Sequence, residues 1–362
     1  MAKNATRRKS VKSSKSASSS KKKKKTESAS KKKKKAAASK TKEASAPKKK
    51  ASAPKKKTAM TVAASRSRVA DLRQGQYSDG HPLDEVQYLE CKLILKPDRF
   101  TAAKTFFDYG ALVAKTAREF GIAFNNQGIV LNPELREVLF FDTGDFSLYN
   151  NAFILRRRIA YEHGFPVGDP EIVFKFRHPD MQTAADLDVR PNIAGNYRIK
   201  FKAEALPLKD QVGDFRLLFS HNVEMGLSQV PEGDRSSMAT IASVFPCLAS
   251  LTEKMSDRVE LVNQTIVEEV LQDLGTLDFG RGVTANSNIA LWRERGLHKP
   301  LCGEFAFQAK FKRRDELHEK AIERMKGFFI ALQQKGRDWL SLGTTKTGLV
   351  YRLHGNPPQA HE

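Results

Sequence analysis

In several stretches of this chain, apolar and charged residues alternate with a period of two, and the charged partner is mostly basic. Over 197–204, Tyr197, Ile199, Phe201 and Ala203 take one parity, and Arg198, Lys200, Lys202 and Glu204 take the other. Over 304–312, Phe305, Phe307, Ala309 and Phe311 oppose Glu304, Gln308, Lys310 and Lys312. Arg156 and Arg158 share a parity, as do Lys175 and Arg177, and Glu90 and Lys92. A period of two belongs to β-strands, whose side chains point to opposite faces in turn. Two architectures fit. One is an open sheet backed by helices, with its charged face in solvent. The other is a closed barrel with charge inside and apolar residues outside, under helices. Basic pairs at i, i+2 repel unless acids or an anion compensate them, which argues for the barrel; periodicity alone leaves both open.

Further strand signals fall at 87–95, 136–142, 152–161, 171–177, 196–204, 257–270 and 302–312. Helical spacing of apolar residues runs over 99–120 (Phe106, Phe107, Tyr109, Leu112, Val113, Phe120) and 315–335 (Leu317, Ile322, Met325, Phe328, Phe329, Leu332). The interval 210–256 reads as irregular and partly helical. Mostly antiparallel strands with inserted helices make an α+β protein.

All net charge sits at the front of the chain. Residues 1–60 carry 22 Lys and 2 Arg against Glu27 and Glu43, a net of +22, which equals the net charge of the whole chain. The remainder is neutral. The front is Lys, Ser and Ala, with SAPKKK at 45–50 and again at 52–57. Like-charge blocks without apolar residues predict a disordered arm that binds DNA, RNA or polyphosphate by counterion release. Its composition resembles a linker-histone tail. No apolar run is long enough for a membrane span and no signal-like apolar region follows the basic start. The expected compartment is therefore the cytoplasm, with association to nucleic acid or polyphosphate bodies. Cys91, Cys247 and Cys302 are widely spaced, which fits a reducing compartment and argues against structural zinc. GTTKTG at 343–348 resembles a P-loop in composition but fails its spacing. His163, His178, His221 and His298 form no spaced cluster and are expected at the surface.

Phe140-Phe141-Asp142-Thr143-Gly144-Asp145, then Leu148, then Ile154-Leu155-Arg156-Arg157-Arg158-Ile159, resemble the CYTH or triphosphate tunnel family, with its Asp-Thr-x-Asp stretch and Leu-Arg-x-Arg strand. Tyr88-Leu89-Glu90-Cys91-Lys92 falls where that family opens with Glu-x-Glu-x-Lys. Val173-Phe174-Lys175 falls at its next lysine, and Glu304-Phe305-Ala306 at its late Glu-x-Glu. The resemblance covers roughly 87–335. It implies a closed eight-stranded antiparallel barrel with flanking helices: 1–84 as arm and linker, 85–340 as the tunnel domain, 341–362 as an extension. It further implies that inorganic triphosphate, polyphosphate or a nucleoside triphosphate binds inside. Metal-dependent hydrolysis of a phosphoanhydride bond would follow, with Mg²⁺ or Mn²⁺ on Glu90 and Glu304, and Lys92 beside them as a further catalytic group.

Two departures thin the acidic set: Tyr88 and Ala306 stand where the family has acids. Mg²⁺ wants oxygen ligands, so this favours anion binding over hydrolysis. Two other functions therefore remain: a non-catalytic polyphosphate or nucleotide binder, and a nucleic-acid-associated protein working through the arm. The expected phosphate contacts are Lys92, Arg156, Arg158, Lys175, Arg177, Arg198, Lys200, Arg258, Lys310 and Lys312. Arginine grips phosphate oxygens in pairs and lysine acts as a point charge. Arg157, of opposite parity, is excluded. Asp142 and Thr143 suit a turn in which side chains bond the backbone. Assembly is left open between monomer and homodimer.

Overall fold

The computed structural model describes residues 82, 85–311, 313–358 and 362. The arm and Lys312 lie outside the described residues. The strands are β1 (Tyr88–Leu95), β2 (Ala123–Asn125), β3 (Glu134–Asp142), β4 (Phe153–Glu162), β5 (Phe165–His178), β6 (Arg198–Pro207), β7 (Phe215–Gly226), β8 (Glu260–Leu261), β9 (Val267–Asp278), β10 (Thr284–Glu294) and β11 (Pro300–Lys310). The helices are α1 (Lys104–Glu119), α2 (Ser147–Asn150), α3 (Met181–Asp186), α4 (Met238–Val244), α5 (Glu319–Lys335) and α6 (Lys346–Tyr351).

The sheet runs β9-β10-β11-β1-β6-β7-β5-β4-β3 and closes where β3 pairs with β9. The barrel therefore has nine strands, not the expected eight. A ring whose strands alternate in direction needs an even number, so nine force one parallel contact. That contact is β1 against β6, with Tyr88 opposite Lys202 and Cys91 opposite Ala205. Every other pairing in the ring is antiparallel. β2 and β8 are short additions to the ends of β9 and β3.

Apolar residues of the outward parity are covered by helices. Phe106, Tyr109, Val113 and Ala117 on α1, with Ala321, Met325, Phe328, Phe329 and Leu332 on α5, pack with Leu274, Ile289, Phe305 and Phe307 of the barrel wall. Each large side chain removed from water contributes roughly 1.5–3 kcal/mol. A second cluster covers β4 to β7, joining Leu155, Ile172, Phe174, Phe201 and Val223 to Ile241 and Val244 of α4. His221 belongs to this buried layer, its ring 3.9 Å from that of Phe201. Its expected surface placement is overturned because it takes the outward parity on β7, beneath a covered face.

A third cluster lies inside the barrel. Ile94, Phe140, Ile154, Ala290 and Trp292 meet Val350 and Tyr351 of α6 there. Apolar packing thus fills one end of the barrel and leaves the rest to charge. The turn that feeds this end is organised by Asp142, which is buried. Its carboxylate accepts hydrogen bonds from the backbone N–H groups of Thr143 (2.8 Å), Leu148 (2.8 Å) and Tyr149 (2.9 Å), and from the Tyr351 hydroxyl (3.1 Å). This is the structural part expected of the Asp-Thr turn.

Candidate functional site: a charged cavity inside the barrel

The side chains of the inward parity enclose a cavity of about 210 Å³. Its lining includes Glu90 and Lys92 from β1, Arg156 and Arg158 from β4, and Lys175 and Arg177 from β5. Lys200, Lys202 and Glu204 come from β6, Glu224 from β7, Glu269 from β9, Glu304 from β11 and Lys346 from α6. Among the described residues, eight basic and five acidic side chains leave the cavity at +3. A larger cavity of about 340 Å³ lies outside the wall under α4 and is mostly apolar. Its two arginines are already engaged: Arg157 pairs with Glu137, and Arg235 donates to the Val230 carbonyl. The inner cavity carries the chemistry.

The acids are distributed as counter-charges. Glu204, buried at 1% exposure, faces Lys175 (2.5 Å), Lys92 (3.2 Å) and Arg177 (3.9 Å), and accepts a hydrogen bond from Ser220 Oγ (2.8 Å). Glu90 faces Lys92 (3.1 Å) and Lys202 (3.2 Å). Burial pushes the Glu90 carboxyl up, but Lys202 and Lys92 bring it down to about 2. Glu304 faces Lys346 at 2.7 Å. Glu269 lies 3.4 Å from Lys346 and accepts a hydrogen bond from the Trp292 indole (2.7 Å). Burial works against the Glu269 carboxylate, yet Lys346 and that indole hold it near 2. Near the β6–β7 rim, Glu224 holds Arg198 (2.5 Å) and Lys200 (2.7 Å).

Arg156 departs from this pattern. Its Nε is buried without a hydrogen-bond partner, and among the described residues no carboxylate lies within ion-pair distance of it. Burial, reinforced by repulsion from Arg158, lowers the guanidinium to about 10, so it stays charged at neutral pH. Arg158 is engaged by Glu171, its Nε donating at 2.8 Å.

Lys175 is undercompensated for a different reason: three cations share one Glu204. Burial is the largest influence on it and Glu204 opposes that influence. With Lys92 and Arg177 adding repulsion, the ammonium falls from 10.5 to about 7. The Glu204 carboxyl, by contrast, is held well below its usual range, because all three cations act on it. The folded value of Lys175 lies below the unfolded one. Between pH 7 and 10.5 the unfolded chain therefore binds more protons, and this group's penalty on stability is relieved as pH rises. An anion in the cavity would put the proton back. Tripolyphosphate binding above pH 7 is accordingly expected to take up a proton and to weaken from pH 6.5 to 9. Titration calorimetry in buffers of different ionisation enthalpy reads this uptake. Lys175→Arg, charged throughout, should show only the ligand's own titration. An identical proton count in both proteins would refute this role for Lys175.

Of the expected phosphate contacts, Lys92, Arg156, Arg158, Lys175, Arg177 and Lys200 line the cavity. Arg198 stands at its edge with its side chain 64% exposed. Lys310 is exposed on the rim, its ammonium 5.7 Å from the Tyr88 ring. Arg258 is not brought to the cavity. It lies outside the barrel, paired with Asp234 at 2.6 Å, because the alternation at 257–262 forms only an isolated bridge and the two-residue β8. Arg157 points outward, as parity required.

Both residues of the expected metal pair line the cavity, but the ladder holds them apart. On the β1–β11 ladder Glu90 sits opposite Gln308, Lys92 opposite Ala306, and Ile94 opposite Glu304. Lys92 therefore stands between the two carboxylates, and attraction to Glu204, Glu90 and Glu304 raises its ammonium despite burial. Among the described residues no group of three His, Cys, Asp or Glu side chains could hold a metal ion. Lys92 and Lys346 occupy the carboxylates a divalent cation would need, so the residues present do not fit a protein-held ion.

Four participants escaped the sequence reading: Glu224, Glu269, Trp292 and Lys346. Lys346 belongs to the GTTKTG stretch, in the segment set apart as an extension. Thr345, Lys346 and Thr347 instead form part of the cavity wall, and Lys346 lies 4.5 Å from the Trp292 ring. A lysine flanked by threonines and glycines, in a chain whose interior needs counter-charges, was the available signal.

No protein-family model matches the chain, and no curated protein matches it. Solved structures match at a distance. A candidate adenylyl cyclase from Hippeastrum, described as having a dominant triphosphatase activity, is 13% identical with a TM-score of 0.34, over 76% of this chain and 100% of that one. A protein of Pyrococcus horikoshii is 13% identical with a TM-score of 0.29, over 73% of this chain and 97% of that one. A candidate adenylate cyclase of Bacillus halodurans is 11% identical with a TM-score of 0.34, over 75% and 98%. Likeness at this level decides neither family nor activity, and the functional reading rests on the geometry of the barrel itself.

Proposed function

We propose that the barrel interior binds an oligophosphate chain: inorganic triphosphate, polyphosphate or the triphosphate of a nucleotide. The observation that carries this is Arg156, a half-buried cation whose buried Nε has no hydrogen-bond partner and which no carboxylate among the described residues meets at ion-pair distance, in a cavity of net +3. A buried charge left unpaired is costly, and the expected compensation is an anion from outside. The ligand must be linear and multiply charged, because the cations are spread over β1, β4, β5, β6 and α6 rather than gathered at one point. Arg156 and Arg158 would grip phosphate oxygens in pairs, while Lys92, Lys175, Lys200 and Lys202 neutralise the chain along its length.

Binding of this kind requires no divalent ion, because Lys92 and Lys346 already serve as tethered cations beside the acids. Mg²⁺ or Mn²⁺ enters the reading only as a companion of the phosphate chain, whose oxygens and waters would supply most of its ligands. Hydrolysis, the finer reading, draws support from Glu90 and Glu304 both facing the cavity. It is opposed by the lysines that hold them. Calorimetry of the full chain with tripolyphosphate, long-chain polyphosphate and ATP, each in EDTA and in Mg²⁺ or Mn²⁺, tests both readings when joined to a phosphate-release assay. Binding that persists in EDTA is the expected result. No binding of any member under either condition would overturn the proposal, and phosphate release with metal would assign hydrolysis to the same cavity.

A further inference from the structure

At the α6 end of the cavity a second basic cradle already holds an anion, the side-chain carboxylate of Glu362. This side chain is only 3% exposed. It accepts hydrogen bonds from the Tyr149 hydroxyl, from Thr345 Oγ1 (2.8 Å) and from Arg352 Nη1 (2.9 Å), and lies 3.5 Å from Arg177 Nη2. Gly348 leaves room for the pair: a Cβ there would stand 2.4 Å from Arg352 Nη1 and 2.5 Å from both carboxylate oxygens. The charge is not matched. Arg177 is 4% exposed, and its one other carboxylate among the described residues, Glu204, lies at 3.9 Å and is shared. Arg216, on the neighbouring β7, has Nε and Nη1 buried without hydrogen-bond partners among the described residues. Arg177 and Arg352 thus hold one singly charged, planar group, and Arg216 is near enough to feel the charge of both Arg177 and Glu362.

We infer that this cradle is a phosphoryl-dianion site, formed by Arg177, Arg216, Arg352, Tyr149 and Thr345, in which Glu362 acts as a displaceable internal anion. A phosphoryl group brings a second negative charge and a third oxygen, for which Arg216 has donors to spare. Charge-assisted pairs of this kind are the strong ones. The group could be free inorganic phosphate or the end of a longer chain lying in the cavity. The site shares Arg177 with the proposed oligophosphate path and otherwise stands apart from Arg156 and Arg158.

Calorimetry with inorganic phosphate and, separately, tripolyphosphate tests this on the full chain. Glu362→Ala removes the internal anion, and Glu362→Gln removes its charge while keeping its shape. Each is expected to bind inorganic phosphate at least about tenfold more tightly than the unaltered protein, a gain of about 1.4 kcal/mol. Adding Arg216→Ala should abolish the gain. A gain confined to tripolyphosphate would assign the site to a chain end rather than to free phosphate. If Glu362→Ala weakens the fold, phosphate should restore its melting temperature. No gain in either variant, a gain indifferent to Arg216, or a weakened fold that phosphate leaves unchanged would each overturn the inference. Arg156→Ala separates it from the oligophosphate proposal: phosphate binding by Glu362→Ala should survive that change, even where tripolyphosphate no longer binds.

Discussion

Arg156→Ala is expected to weaken tripolyphosphate binding by about 100-fold while raising the melting temperature of the empty protein. The two effects share one cause. Truncating one member of a buried charge pair costs about 2–5 kcal/mol, and about 1.4 kcal/mol is a tenfold change in affinity. In the empty protein the pair does not exist. Arg156 there carries desolvation and the repulsion of Arg158, offset only in part by Glu269, Glu171 and Glu224 beyond ion-pair distance, so its removal relieves the folded state. A relief of about 1 kcal/mol would raise the melting temperature by roughly 2–4 °C in a domain of this size. Arg158→Ala is the control, because Arg158 is paired with Glu171. It should lower affinity less and leave stability nearly unchanged. Unaltered tripolyphosphate affinity in Arg156→Ala, or equal behaviour of the two variants, would remove the observation on which the functional reading rests.

What could be read from sequence followed from how plainly each strand shows its two faces. β1, β4, β6 and β11 present charge on one parity and apolar residues on the other, so both their existence and their inward residues were legible. β7 was not. Phe215, Leu217, Leu218 and Phe219 break the alternation, because Leu218 faces inward from a strand covered on both sides. β10 lines the interior with Asn286, Asn288 and Ala290, small or polar residues of weak strand propensity. In β9 the register shifts opposite Ser287/Asn288, where Gly275 takes φ +99°, and a bulge of this kind moves later residues to the other parity. Missing β7 and β10, and placing a strand at 257–270 instead of β9, obscured the count of nine and the parallel β1–β6 contact. The basic half of the site was legible because Arg and Lys recur at i, i+2. Its acidic half was legible only on β1, β6 and β11, because Glu224 and Glu269 sit on β7 and β9, where the alternation breaks, and become counter-charges only once the barrel closes.

Those counter-charges make Glu204 the position whose loss should matter most to the fold. Its carboxylate is the shared partner of Lys92, Lys175 and Arg177. Glu204→Gln keeps the shape and the Ser220 contact but leaves three buried cations facing one another. Breaking a buried ionic cluster by removing one partner costs about 3–5 kcal/mol. At roughly 2–4 °C per kcal/mol, the melting temperature should fall by about 10 °C. Two features separate this from a generic packing defect. Lys175, already lowered to about 7, loses its proton more readily without Glu204, so the deficit should be smaller at pH 8.5 than at pH 6.5. Tripolyphosphate should also restore the variant more than it stabilises the unaltered protein. With Lys175 protonated the cavity then stands at +4 instead of +3, and a ligand bound only by the folded state adds stability in proportion to the logarithm of its concentration over Kd. Thermal melts of both proteins across pH, with and without tripolyphosphate, decide the matter. A variant as stable as the original, or one whose deficit ignores both pH and tripolyphosphate, would mean that the glutamate is a packing element and that the cations of the cavity are not poised for an oligophosphate.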